Sequence, residues 1–492
     1  MGKPRYPLLY QINTRVYLTK LSREMGRPAT LDDIPDQALD VIASRGFDWV
    51  WYLGVWQTGP AGQQVSRTNP EWRSEFQELL PDLTEEDIPG SCFAITDYSV
   101  LDSIGGDGAL ARLRGRLRAR GLKLMLDFVP NHTAPDHRWA TEHPDFYVAG
   151  SEDDLAREPQ NYIAIGSGPE RRVLAFGRDP YFAGWPDTLQ LNYGNPALQE
   201  TRIAELLEIA ARCDGVRCDM AMLVLPEIFE RTWGIKAEPF WPRAIERVRS
   251  EHPEFLFMAE VYWDLEWTLQ QQGFDYCYDK RLYDRLREGD ARAIRGHLRA
   301  DLGYQEALAR FLENHDEPRA AAVFPDEVQQ SAAVVTFLTP GLRFLHQGQV
   351  EGYRKRIAPH LGRGPDEPVN EEIRGFYDRL IECLSDDTVR NGDWQLLECM
   401  PAWQGNPTAD DFIAYWWTGP DGGHKLVAVN YSPHQSQCYV RLTAPELAGR
   451  SWRLESVLGP GVYDREGDRL LSDGLYLDLP AWGYHVFSAT AW

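Results

Sequence analysis

The chain has 492 residues, too many for one ordinary core and enough for a large barrel with at least one smaller domain. Its 51 basic and 74 acidic residues leave a net charge of −23, a field that repels phosphate backbones and anionic membrane surfaces and so argues against nucleic-acid and membrane partners. A neutral or cationic substrate is compatible with that acidity, although solubility alone accounts for it.

The opening stretch MGKPRYPLLYQINTRVYL has only a short apolar run, interrupted by Gln11, Asn13 and Arg15, so no signal-peptide core is expected. No later run is long and apolar enough to suggest a membrane span. Seven cysteines lie scattered without CxxC spacing, which reads as reduced thiols and a cytoplasmic location. The 17 Trp and 22 Tyr supply flat faces for ligand rings or, equally well, ordinary packing.

In chain order, β-rich apolar runs fall at Leu8 to Ile12, Trp49 to Leu53, Lys123 to Phe128, Gly215 to Asp219, Phe255 to Glu260, Asp275 to Tyr278, Ala309 to Leu312 and Gly341 to Leu345. Helical patterns separate them, the signature of parallel βα units. One such pattern spans Ala109 to Arg120, where Leu110, Leu113 and Leu117 share a face and Gly121 ends the helix. Another begins at Asn195-Pro196, a cap residue followed by proline at the first helical position, and carries Ile203, Leu206, Leu207 and Ala210 on one stripe. The alternation breaks between Asn131 and about Tyr193, and from about Asp393 the period becomes two, as in KLVAVNYS and GLYLDL. The expected class is therefore α/β: a (β/α)₈ TIM barrel over 1–130 and 194–390, an inserted subdomain over 131–193, and a C-terminal antiparallel β-sandwich over 391–492.

Four of the strands end in polar groups: Asp127-Phe-Val-Pro-Asn131-His132, Arg217-Cys-Asp219, Glu260, and Glu313-Asn314-His315-Asp316. Taken singly, an Asp at a strand end caps the next helix more often than it does chemistry, and a His usually makes one satisfied hydrogen bond. Four such ends in barrel order are hard to obtain from capping alone, because barrel enzymes work at the carboxyl ends of their strands.

DFVPNH, GVRCD, AEVYW and ENHD resemble, in order and spacing, the four signature regions of the α-amylase family of glycoside hydrolases and transglycosidases. The resemblance extends over nearly the whole chain and implies a retaining double displacement. It implies Asp219 as nucleophile, with Arg217 holding it ionised, Glu260 as acid/base with a raised pKa, and Asp316 as the carboxylate that holds sugar hydroxyls. His132 and His315 resemble hydroxyl donors around the same sugar, Tyr98 a stacking platform, and Asp127 and Asn131 braces. Trp56, Trp185 and Trp263 lie near loop ends, where packing competes with contact to further rings.

Three departures from the family pattern stand out. Phe93-Ala94 replaces a Tyr-Asp pair common in exo-acting members, which argues against a simple α-glucosidase. Met220-Ala-Met222-Leu223 follows the nucleophile where many amylases have Lys-His, so an apolar acceptor side is expected, and neither a bound metal nor another cofactor is expected. Gln347-Gly-Gln349 stands in place of a frequent Gly-Glu pair, with no account from sequence. The leading reading is hydrolysis of α-1,4-glucosidic bonds in α-glucans or maltooligosaccharides. The alternatives are a glucanotransferase or a trehalose- or sucrose-type transglycosidase, favoured by Met222-Leu223, and a catalytically silent binding module.

Overall fold

Each of the eight apolar runs becomes a strand in the computed structural model, which describes residues 4–492. They are β1 (Leu8–Asn13), β2 (Trp49–Leu53), β3 (Lys123–Phe128), β4 (Gly215–Cys218), β5 (Leu256–Ala259), β6 (Tyr276–Tyr278), β7 (Leu308–Arg310) and β8 (Leu342–His346). Neighbours in sequence are neighbours in space, and the ring closes between β8 and β1 with every pair parallel. The strands read as continuous apolar runs because one side fills the barrel and the other is covered by helices; β2, WVWYL, is buried at every position.

The helices start and stop where local chemistry dictates. Gly106–Arg118 buries Leu110, Leu113 and Leu117, and the chain then turns through Gly121 at φ +77°, a conformation open to glycine and strained for other residues. Pro196–Arg212 begins where the Asn195 side chain accepts from the Ala197 N–H at 2.9 Å. It returns the chain to β4.

Two connections leave the simple βα pattern, whereas the sequence pointed to one. Between β3 and β4 the chain forms a two-stranded pair, Tyr162–Ile165 with Arg172–Ala175, and a short ladder joining His132–Thr133 to Leu189–Gln190. Between β2 and β3 lie helices Pro60–Thr68 and Pro70–Leu79 and the pairing of Trp56–Thr58 with Ile95–Val100. Those helices are short and weakly apolar, and they merge in the sequence with the loops around them.

The end of the chain forms a six-stranded and a three-stranded antiparallel sheet. Phe412, Ala414 and Trp416 face the core between the two sheets, while Ile413, Tyr415 and Trp417 join the barrel's own core. The Tyr415 hydroxyl and Trp417 indole donate to the carbonyls of Val334 and Leu338, each at 2.9 Å. His424–Asn430, read as period two from its sequence, is buried at all seven positions because it too is covered on both faces. No helix among the described residues is long and apolar enough to cross a membrane.

Candidate active site

Asp219 and Glu260 are the first residues past β4 and β5, and their backbone N–H groups continue the barrel ladder to Phe128 O at 2.8 Å and Cys218 O at 3.0 Å. That pairing fixes where both side chains leave the wall. Arg217, two residues before Asp219 and on the same face of β4, is wholly buried. Its Nη1 lies 2.6 Å from Asp219 Oδ1, its Nη2 lies 2.8 Å from Glu260 Oε2, and Asp316 Oδ2 is 3.7 Å from Nη2. One guanidinium therefore gathers three carboxylates from three βα units, with Asp219 and Glu260 on adjacent nitrogens. The Tyr278 hydroxyl of β6 accepts from Arg217 Nε at 3.3 Å, so the fork cannot swing away.

Three acids around one base cannot all be ionised at no cost. Burial, only partly offset by Arg217 and reinforced by Asp219 and Asp316, pushes the Glu260 carboxyl up to about 7. Asp316 goes the other way. Burial would raise it, but the adjacent His315 and then Arg217 override that effect and bring it to about 2. Its side chain is 36 % exposed, the most open of the three acids. The environments thus separate a proton-bearing acid from an ionised one.

His315 sits behind Asp316, with Nε2 at 2.9 Å from Oδ2, while Gln11 Nε2 donates to its Nδ1 at 2.8 Å. That contact sets the tautomer with the proton on Nε2. His132 is buried, its ring 5.4 Å from that of Trp185, and burial, against the pull of Asp219, lowers it to about 4, so it is neutral near pH 7.

The other residues divide. Asp127 accepts from the Trp51 indole and the Gly54 N–H, each at 3.0 Å, and its carbonyl accepts from the Trp56 indole at 2.8 Å; it and Trp56 brace the barrel mouth. Asn131 exchanges amide hydrogen bonds with Gln190 at 2.9 and 3.1 Å, tying the end of β3 to the long connection after it. Trp263 stands half-exposed at the rim, edge-on to Tyr181 at 5.0 Å.

Two expectations need correcting. Tyr98 is not a sugar platform: it is 6 % exposed, its hydroxyl accepts from Val129 N at 2.9 Å and Arg202 Nη2 at 3.2 Å, and its ring is enclosed by Trp56, Phe128 and Arg202. A half-buried ring that does stand beside the site is Phe93, 5.4 Å from His315 with the Arg217 guanidinium 5.3 Å away. Nor do Met222 and Leu223 line an acceptor site, because both are buried in the core, 0 % and 3 % exposed. Met220 is the half-exposed member of that run, and its φ of +41° is strained for a residue with a Cβ. The turn aims the Met220 N–H at Glu260 Oε2, 2.7 Å away, and the Ala221 N–H at Glu260 O, 3.0 Å away.

Sequence reasoning missed Tyr262, whose hydroxyl donates to Glu260 Oε1 at 2.9 Å; Gln11; Tyr278; and Phe93. Gln11 and Tyr278 had a signal, since each is a polar-tipped side chain at the end of an apolar barrel strand. Gln349, puzzling in sequence, closes the turn after β8: its Oε1 accepts from the His346 N–H and its Nε2 donates to the Tyr377 hydroxyl.

Residues 79–273 match the sequence model of the Alpha amylase, catalytic domain. The chain is 26 % identical to "Alpha-amylase MalA" of Haloarcula japonica over 423 residues, 83 % of this chain and 53 % of that protein, so it spans about half the length of that relative. It is 29 % identical to "Trehalose synthase/amylase TreS" of Mycolicibacterium smegmatis over 206 residues, 37 % of this chain and 33 % of that one. In fold it is similar to a noncanonic maltogenic alpha-amylase, AmyB, from Thermotoga neapolitana, with a TM-score of 0.70 and 18 % identity across 99 % of both chains.

Proposed function

We propose that the chain, which matches the α-amylase catalytic-domain model over residues 79–273 and resembles an α-amylase along most of its length, is a member of that family and hydrolyses α-1,4-glucosidic bonds of α-glucans or maltooligosaccharides with net retention. One observation carries the reading: Asp219 and Glu260 share adjacent nitrogens of Arg217, with Asp316 beside them. Glu260, protonated up to about pH 7, gives its proton to the glycosidic oxygen as Asp219 attacks the anomeric carbon. The bond to the leaving sugar breaks, and a glycosyl-enzyme ester forms on Asp219. Glu260, now a carboxylate, takes a proton from water, whose oxygen attacks the anomeric carbon from the face the leaving sugar vacated and displaces Asp219 on the opposite face.

Asp316, ionised and open to the cleft, accepts hydrogen bonds from sugar hydroxyls as the ring flattens. His315, which holds its proton on Nε2, and neutral His132 flank the same sugar. Phe93, beside His315 and Arg217, supplies an apolar face for the same sugar. The seven free thiols, six of them buried, fit a reducing cytoplasm.

The similarity to a trehalose synthase/amylase favours a second reading, transfer of the glycosyl group to a sugar instead of water. Product analysis separates the two. Incubated with maltoheptaose and followed by proton NMR, a hydrolase yields shorter reducing sugars, α-configured at first release, whereas a transferase yields longer or rearranged chains. First release of the β-anomer would rule out the double displacement. No product from any α-glucoside would leave the binding-module reading.

A further inference from the structure

Resting on the acid/base reading of Glu260, we propose that Tyr262 is a positioning residue that keeps the transferable proton on one chosen oxygen of Glu260 and makes that oxygen a stronger acid. The two carboxyl oxygens are unlike. Oε2 accepts the Met220 N–H at 2.7 Å and faces Arg217 Nη2 at 2.8 Å. The Met220 N–H and the adjacent guanidinium charge together disfavour a proton on Oε2. The proton of the neutral acid therefore sits on Oε1, and the protein group hydrogen-bonded there is the Tyr262 hydroxyl, at 2.9 Å.

The tyrosine stays a donor throughout. Burial, then the neighbouring Glu260 and Asp316, raise its own pKa well above the ordinary value. Its O–H occupies one lone pair of Oε1, which leaves the Oε1–H free to point at the leaving oxygen. During glycosylation the Oε1–H bond breaks and the proton goes to the glycosidic oxygen, which keeps the electron pair of its bond to the anomeric carbon. An Asp219 oxygen supplies the pair for the new bond. Tyr262 keeps its proton, and its hydrogen bond strengthens as Oε1 becomes anionic.

The chain is built to hold this arrangement. The two residues after Tyr262, Trp263 and Asp264, both adopt left-handed conformations at φ +64° and +62°, strained for residues with a Cβ. Arg281 grips both carboxylate oxygens of Asp264, and Leu265 N–H returns to Tyr262 O at 3.4 Å. The other groups facing Glu260 are Arg217 and Asp219 from β4, Asp316 from the loop after β7, and Tyr278 of β6 through Arg217. Removing one hydroxyl leaves all of them in place.

Tyr262→Phe is the direct test, with two readouts that lost packing would not move. The first is an infrared titration of the Glu260 carboxyl in the full-length protein, assigned by its disappearance in Glu260→Gln. The apparent pKa should rise by about 0.5 to 1, because the ionised form loses a donor. The second is the leaving-group dependence: kcat/KM should fall about tenfold on maltooligosaccharides but less than about twofold on an aryl maltoside with a good leaving group, with the alkaline limb moving upward. Arg281→Ala, which keeps the hydroxyl but frees its loop, should give a smaller loss of the same selective kind.

An unmoved titration overturns the proposal whether or not the protein cleaves a glucoside, and so does an equal loss on both substrates. A shifted titration in a protein that turns over no α-glucoside keeps the hydrogen-bond role and overturns only the activity on which it was built.

Discussion

Arg217 and Arg310 are both wholly buried, both belong to barrel strands, and both bind a carboxylate at the end of a strand. Around Arg310 the charges balance. Asp279, just past β6, meets the Arg310 guanidinium and has His297 Nε2 at 3.0 Å, and its carboxylate also caps the helix Lys280–Glu288 by accepting from Leu282 N–H at 3.1 Å. Burial alone would raise Asp279, but His297 and Arg310 hold it well below the usual carboxylate range. Around Arg217 one cation serves three acids, and burial lifts one of them to about 7. Both clusters set a wholly buried arginine against buried carboxylate and a neighbouring histidine. The ratio of acids to bases separates an arrangement that can only hold from one that can give up a proton at neutral pH.

The sharpest way to break this comparison is to remove the acid from each cluster. Asp219→Ala should lower turnover by about 10⁴-fold or more while leaving thermal stability within about 1 kcal/mol, because Arg217 keeps two other partners. Asp279→Ala should reverse the pattern, destabilising the fold by about 3–5 kcal/mol in chemical denaturation, because it leaves a buried guanidinium without a carboxylate. If both variants lost stability equally, the Arg217 cluster would be structural too.

Removing the base should combine the two effects. Arg217→Ala strands three carboxylates around one void, so activity assays and melting curves should both fall.

Glu260→Gln sharpens the claim of a poised proton, with an expected loss of about 10²–10³-fold on maltooligosaccharides and little on activated aryl glycosides. The wild-type pH profile carries the same information. The Glu260 carboxyl rises from 4.5 to about 7 on folding, so the acid is present below that value and kcat/KM on poor leaving groups should fall above it. Between those two values the folded state binds the extra proton, and this group's contribution to stability is lost as pH rises through about 7.

The smallest effect is expected where a raised carboxyl has no chemistry. Glu266 is 3 % exposed, and burial raises it from 4.5 to about 7. Glu266→Gln should stabilise the protein at pH 8 by on the order of 1–2 kcal/mol and change nothing near pH 4, with activity intact. A loss of turnover on that substitution would place Glu266 in the reaction and blur the contrast.

The two clusters also differ in how well they could be read beforehand. Arg217, Asp219, Glu260 and Asp316 sit in short motifs, each a polar end on an apolar strand, and the barrel rule gathers strand ends at one mouth. Asp279 obeys the same rule and would have been an equally good candidate by position alone. What it lacks is unpaired charge, and Arg310 and His297 lie 31 and 18 residues away, at no spacing that a motif records. Tyr98 misled for a related reason: an aromatic near a strand end reads the same whether its ring faces the cleft or Arg202.

The amino-acid order by itself determined the eight strands, the closure they require, the antiparallel end of the chain, and which acids come first after which strand. Those properties follow from hydrophobic period and from one-dimensional distance to a strand end. Only the tertiary structure decided that Phe93 rather than Tyr98 stands beside Arg217 and His315, that Met222 and Leu223 are core, and that Tyr262 stands on one oxygen of Glu260 while a strained turn at Met220 serves the other. Direction and pairing across the barrel mouth are set by packing between segments far apart in the chain, and local sequence carries no record of it.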